Sequence, residues 1–388
     1  MIVVYIIVGV VALIAAGWVF RAAGRATGRP AFRDMDLSTA FGYALGAVVV
    51  VWGIYAFFFV EAAVFFRWAV QGIIGFAIAA WIFRFIGRHV GPDSVRRQFR
   101  AMPLTASFGI LTILIYAIVA IFAGVLAPHG QAEVFANVNV LPGGDPALGG
   151  DPAFPLGTDQ IGRDLLSRLI YGAQNTVGIA FATTVLAFLL GGTLGFLAAT
   201  VGGWLDNLLS RMVDVLMAIP SLIFALLLMT IASAWAGSEK WLLTVYMVVI
   251  IAVIDSTRVY RLARAVGSSI VVMDYIEAAK LRGEGMGYLI FREILPNATA
   301  PLLAEFGLRF CFVFLTIASL SFLGVGIQPP LADWGTMVRD LSQFINFAAF
   351  SPLTAALPLM AAGAIALLTV AVNFVVDWML HRSSGLKG

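Results

Sequence analysis

The chain has 388 residues, of which 61% are hydrophobic and 12% charged, with a formal net charge of +3 and a mean hydropathy of +0.98. These values exclude an ordinary soluble domain, and the apolar runs are too continuous for the alternating strands of an outer-membrane barrel, leaving a polytopic all-α membrane protein. The basic residues lie mostly in short loops beside apolar runs, where they act as topology signals, so no nucleic-acid role is assigned.

A hydrocarbon core of about 30 Å needs about 20 apolar residues per helix. Runs of that kind occupy residues 2–20, 40–60 and 68–86, an N-terminal trio, and then 106–126, 175–200, 211–235, 241–261, 301–323 and 354–378. A boundary near residue 95 separates an N-terminal accessory domain (1–95) from a six-span core (96–388). The loop with Arg21, Arg25, Arg29 and Arg33, and the stretch with Arg84, Arg88, Arg96, Arg97 and Arg100, are cytoplasmic by the positive-inside rule, which puts the N-terminus outside. Span parity then makes 127–172 and 324–352 periplasmic, and 201–211, 258–300 and the C-terminal tail from His381 cytoplasmic. The first run is not read as a cleaved signal peptide: it lacks a basic leading region, and its arginines follow the apolar stretch.

Within the first periplasmic loop, residues 155–172 form an amphipathic segment. Ile161, Leu165 and Leu169 share a stripe with Leu166 and Ile170 beside it, and Thr158 or Asp159 is placed to cap the helix. This segment is expected to lie flat on the membrane, either as a platform for another protein or as an anchor for its own loop. The span 211–235 follows, then 241–261 with Asp255 and Arg258 at i, i+3. Glu305 and Arg309 at i, i+4 come in the span 301–323, and both pairs are expected to neutralise themselves near the cytoplasmic ends of their spans. Cys311 is the only cysteine, so no intrachain disulfide or cysteine metal cluster can form. Ser319, Ser321 and Asn373 are read as packing residues. The second periplasmic loop holds Gly324, Gly326, Pro329, Pro330, Asp333, Trp334 and Gly335, a turn-rich stretch with an interfacial aromatic, read as an outer gate or a docking surface.

Between two apolar spans lies a charged, glycine-punctuated island, Glu277 to Asn297, within a coupling segment 265–297. As a helix it sets Ile276, Ala279 and Gly283 on one face, with Ala278 beside them, so that another surface can approach the backbone. Glu277 with Lys280, and Lys280 with Glu284, have the spacing of self-paired surface charges. Gly283, Gly285 and Gly287 end the helix, and Pro296 is expected to break the chain before the next span.

The string Glu277-Ala278-Ala279, with Gly283 after it and Leu295-Pro296 closing the segment, resembles the EAA signature of ABC importer permeases. The Ile294-Leu-Pro-Asn ending is similar to that of the dipeptide, oligopeptide and nickel branch. Residues 155–172 and 319–335, together with Gly203-Trp-Leu-Asp206, Asp214 and Ile219-Pro220-Ser221, extend the resemblance to the C-type subunit of that branch over about residues 96–380. Residues 1–95 have no counterpart in its six-span pattern.

The resemblance implies a type I importer fold and a multi-pass subunit in the bacterial inner membrane. It also implies four partners: a homologous second permease in a heterodimer, two ATP-binding subunits, and a periplasmic substrate-binding protein. Glu277, Ala278, Ala279, Leu281, Arg282, Gly283, Leu295 and Pro296 would couple to the ATPase. Thr158, Asp159, Gly162, Arg163, Asp164, Asp333 and Trp334 would form the docking surface or gate. No phosphate-binding loop occurs in the chain, so ATP and Mg2+ would sit on the partner subunits and this chain would be no enzyme on its own. A lever is expected: ATPase closure moves the helix at Glu277–Gly283, and bulk at Ala279 or Gly283 uncouples transport while leaving the fold intact. Cargo of this branch includes di- and oligopeptides, nickel chelates, opines and modified sugars. An ion-coupled carrier is disfavoured because all three histidines (His89, His129, His381) fall outside the apolar runs, and a scaffold without transport function is the remaining alternative.

Overall fold

A computed structural model of the chain describes residues 37–59, 64–237, 239–348 and 351–383, together with Trp18 and Ala22. The expected span 2–20 and the arginine loop after it lie outside the described residues. Two compact units divide the chain, Met1–Ile74 and Gly75–Gly388. In the first, helix α1 (Leu37–Phe59) is apolar throughout and exposes Val48, Val49, Val50 and Val51 on successive faces, as a helix does when its solvent is lipid. Helix α2 (Val64–His89) begins in this unit and ends in the second, where Arg88 and His89 occupy its last turn.

The second unit continues with α3 (Asp93–Ala101) and α4 (Leu104–Ile121). After a long folded loop come α5 (Leu165–Val201), α6 (Gly203–Met217), α7 (Ser221–Ala236) and α8 (Lys240–Val271). The chain then forms α9 (Asp274–Leu281), α10 (Met286–Phe322), α11 (Trp334–Leu341) and α12 (Pro352–Ser383). Six of these helices, α2, α4, α5, α8, α10 and α12, are long and apolar enough to cross a membrane, and the bent pair α6–α7 makes a seventh if it counts as one span. Among the described residues there is no strand, only two isolated bridges.

Two expected boundaries are corrected. The run 211–235 is not one straight span, because α6 and α7 meet at 88°. Pro220 forces the residue before it out of the helical region, and the left-handed Gly202 and Gly203 (φ +65° and +61°) start α6 where a loop was expected. Nor does Pro296 break the chain. A π turn over Leu289–Ile294 lies within α10 and leads straight on at Leu295, and the proline without its N–H sits inside a continuous helix.

Apolar burial gives little drive between helices in lipid, so close packing must hold the bundle. Gly191 and Gly195 of α5, one turn apart, bring its backbone against α8. A Cβ at Gly191 would strike the Ser256 carbonyl, and one at Gly195 would lie 2.7 Å from both Ala263 Cβ and Tyr260 O. Gly109 does the same for α4 against Ala371 of α12, and Gly307 for α10 against Val376. One core gathers Phe314, Ile317, Leu320, Met229, Met247 and Trp334, and a second gathers Phe196, Ala263, Ile276, Ala279, Leu289 and Ile294.

Candidate functional site

Helix α9 hangs between α8 and α10 and presents two different faces. Ile276 and Ala279 are fully buried in the second core, against residues of α5, α8 and α10. Glu277, Ala278, Lys280, Leu281 and Arg282 face outward, and Leu281 is 83% exposed. The helix ends at Gly283 (φ +81°), whose N–H bonds to Lys280 O at 2.9 Å while Glu284 N–H returns to Ala279 O at 3.2 Å, a left-handed C-terminal cap. No ion pair joins Glu277 to Lys280 or Lys280 to Glu284; the contact is Arg282 to Glu284 at 3.9 Å.

The expectation for Ala279 is therefore corrected. Its small side chain serves packing within the chain, so bulk there would push α9 off α10, and the exposed face of the helix is the one with Ala278 and Leu281. Val272, Met273, Tyr275, Met286 and Phe291 add exposed apolar area around it. Leu295 and Pro296 are exposed on α10, beyond the buried Ile294.

At the other end of α10 the two remaining strings come together. Asp164, not Thr158 or Asp159, caps α5. Its carboxylate accepts from Leu166 N (3.2 Å), Ser167 N (3.1 Å) and Ser167 Oγ (2.5 Å), and it meets His129 Nδ1 at 3.2 Å. The cap falls five or six residues later than expected because the left-handed Gly162 (φ +83°), lying against the Phe135 carbonyl, keeps the preceding chain in a turn. Asp159 closes that turn by accepting from Ile161 N and Arg163 N at 3.0 Å each and pairing with Arg163 Nε at 2.7 Å. Thr158 donates to Asn137 O and accepts from Val140 N. Thr158, Asp159, Arg163 and Asp164 are all buried, so they hold the loop from within; Ile161 is the exposed residue beside them. The segment 165–172 is the opening of α5 itself, with Leu165 buried, and not a separate helix lying flat.

Asp333 and Trp334 lie against this opening. The Asp333 carboxylate caps α11 by accepting from Thr336 N at 2.8 Å, and it also accepts from Thr176 Oγ1 at 2.9 Å. Burial pushes this carboxyl above the usual carboxylate range, and the donors from Thr336 and Thr176 oppose that push. Trp334 Nε1 donates to Leu169 O at 2.9 Å, its indole lying over Gly172. Asn175 donates to Gln131 Oε1 and Ala332 O at 2.8 Å each. Asn175 and Thr176 belong to a second π turn, Ala173–Val177, which aims both side chains at the neighbouring loops. Gln131, Asn175, Thr176 and the buried Arg168 escape sequence reading; the three adjacent polar residues Gln174, Asn175 and Thr176 opening an apolar run are the one visible signal, and it covers only the π turn.

The charged residues inside the bundle pair differently from expectation. Arg309 meets Glu305 at 2.7 Å, as its spacing suggests, but Asp255 pairs with Arg309 across the bundle at 3.6 Å and not with Arg258. Asp255 lies at the midpoint of α8, whose helix continues to Val271. Arg258 and Arg309 both lie over the Phe312 ring, at 5.7 and 4.6 Å from its centre. Elsewhere on α8, Arg264 forms a two-pronged pair with Asp206 of α6, and Arg261 pairs with Asp214 at 2.6 Å. Among the described residues no group of three or more His, Cys, Asp and Glu is placed to hold a metal ion.

A bundle of glycine-packed spans, a short helix hung between two of them with one face bare, and an interlocked loop assembly at the other end define a multi-pass permease subunit. Residues 191–384 match the model of the binding-protein-dependent transport system inner membrane component, and the chain belongs to that family. It is 35% identical over 245 residues to the dipeptide transport system permease protein DppC of Haemophilus influenzae, covering 63% of this chain and 79% of that protein. It is 35% identical over 240 residues to the di/tripeptide transport system permease protein DppC of Pseudomonas aeruginosa, covering 61% and 76%. The peptide transport system permease protein SapC of Escherichia coli is 33% identical over 293 residues, covering 74% and 92%. The chain is thus a multi-pass inner-membrane transport subunit of an ABC importer.

Proposed function

We propose that this chain forms half of the pathway by which di- or oligopeptides, handed over by a periplasmic binding protein, cross the inner membrane at the expense of ATP hydrolysed on two separate subunits. A homologous permease supplies the other half. The names of the similar permeases support peptides over nickel chelates, opines or sugars. Residues 1–95 act as an accessory domain and residues 96–388 as the permease core, with the N-terminus periplasmic and the C-terminus cytoplasmic.

The observation that carries the reading is the split character of α9. Ile276 and Ala279 lock the helix to α10, while Ala278, Leu281 and Arg282 are left bare together with the exposed Val272 and Met273. A partner that grips the bare face moves α10 with it. Glu277 and Gly283 fix the ends of the grip, and Leu295 and Pro296 border it. The loop assembly around Asp164 and Trp334 gives the binding protein a stiff platform, with its buried polar residues as frame.

The test is reconstitution of the intact complex in proteoliposomes. Uptake of labelled dipeptide should require ATP and binding protein. Leu281→Asp should release the ATPase subunits on purification while the permease pair stays folded. Uptake driven by an ion gradient without ATP, or full ATPase retention by the Leu281→Asp variant, would contradict the reading.

A further inference from the structure

A small cavity opens between α7, α8 and α10, walled by Ser221, Asp255, Arg258, Phe312 and Thr316. Beside it lies a set of four charges that balance in number but not in hydrogen bonds. Asp255 Oδ2, Arg309 Nε and Arg309 Nη1 are buried without a hydrogen-bond partner, half of the six such side-chain atoms among the described residues. Arg309 meets Glu305 and Asp255 as charges, but neither contact completes its donors. The Arg309 side chain is 9% exposed, so water does not make up the deficit from outside. Arg258 makes no ion pair among the described residues; its guanidinium rests over Phe312 at the cavity wall.

Unpaired polar atoms at the middle of a membrane helix are costly, and a chain that keeps them has a use for them. An unsatisfied carboxylate and a loosely held guanidinium on one cavity wall are complementary to a small zwitterion. We propose that this wall is a transient binding site for the charged ends of the cargo, Asp255 taking an ammonium group and Arg258 a carboxylate, with Arg309 and Glu305 as the positioning residues behind them. The inference rests on the peptide reading, since a peptide of any sequence carries both end charges. It gives the pathway a contact that recognises the main-chain ends and is indifferent to side chains.

The experiment uses the complete transporter with Ser221→Cys on the cavity wall, in a Cys311→Ala background that removes the native thiol. The rate of maleimide labelling at position 221 is measured with alanylalanine or with its N-acetyl amide, at equal millimolar concentration. Alanylalanine should slow labelling about fivefold and the blocked compound not at all. Asp255→Asn or Arg258→Gln should remove the protection, Arg258→Lys should retain most of it, and the unprotected labelling rate, equal in all variants, reports an intact cavity. Equal protection by the blocked compound, undiminished protection in both variants, or no protection in the starting protein would each overturn the proposal. Peptide uptake by the same preparation tests the proposed function separately, because labelling needs neither ATP nor the binding protein.

Discussion

The indole of Trp334 occupies the space that Gly172 leaves by having no side chain, and its Nε1 donates to Leu169 O one turn earlier at 2.9 Å. The opening of α5 and the start of α11, far apart in sequence, are locked together through this one aromatic. Tyr116 and Phe314 meet the same ring edge to face, at 5.6 and 6.3 Å between centres.

Gly172→Ala should therefore lower the stability of the loop assembly. The added methyl would strike the indole ring, and overpacking of this kind costs about 1–3 kcal/mol. The melting temperature in detergent should fall, with a change in tryptophan fluorescence, whereas Gly178→Ala, where nothing lies within 4 Å of the new carbon, should leave both unchanged.

Asp164→Ala removes a helix cap and strands the Ser167 hydroxyl and His129 together. The loss should be about 2–3 kcal/mol, and Asp164→Asn should restore part of it because an amide oxygen still accepts from the α5 backbone. Thermal unfolding checks the order, wild type above Asn above Ala. Asp159→Ala should leave α5 capped and instead open the 159–163 turn to protease.

On α9, Ala279→Leu and Ala278→Leu should behave oppositely. Ala279 is buried against α10, so the larger side chain should destabilise the permease by about 1–3 kcal/mol. Ala278 is exposed, so its variant should melt like the wild type yet hold its ATPase partners less well. Melting temperature and co-purification, measured on the same two samples, separate the outcomes.

The pairs Asp206–Arg264 and Asp214–Arg261 tie α6 to α8, with Ser210 and Tyr260 hydroxyls 3.0 Å apart between them. Partly exposed pairs contribute about 0.2–1 kcal/mol each, so a double-mutant cycle on Asp206→Asn and Arg264→Gln should return a coupling in that range. A larger effect is expected on the proteolysis of α6, whose other anchor is the glycine turn at 202–203.

Apolar length made the spans legible, because a hydrocarbon core demands it whatever the packing. The long-range choices were not. Asp255 has Arg258 at a good local spacing, yet Arg309 approaches from another helix, and no spacing rule reports that. The cap moved from Thr158 or Asp159 to Asp164 because a left-handed glycine between them prolongs the turn. Both π turns were invisible because each shifts the helical phase without leaving a residue type behind. The EAA segment could be read as a short helix between spans, but which of its two small residues is left exposed depended on where α10 lies.

Helix α10 runs from Met286 to Phe322 without a break, about 55 Å at 1.5 Å per residue. Its π turn and its two proline gaps, at 296 and 301, all fall in the first half, next to α9. Such a helix is a stiff shaft with a compliant collar. Small jostling at the collar is absorbed there, and only a sustained push large enough to take up its slack turns the shaft, carrying Arg309 and the Ser321–Gly326 turn around as one piece.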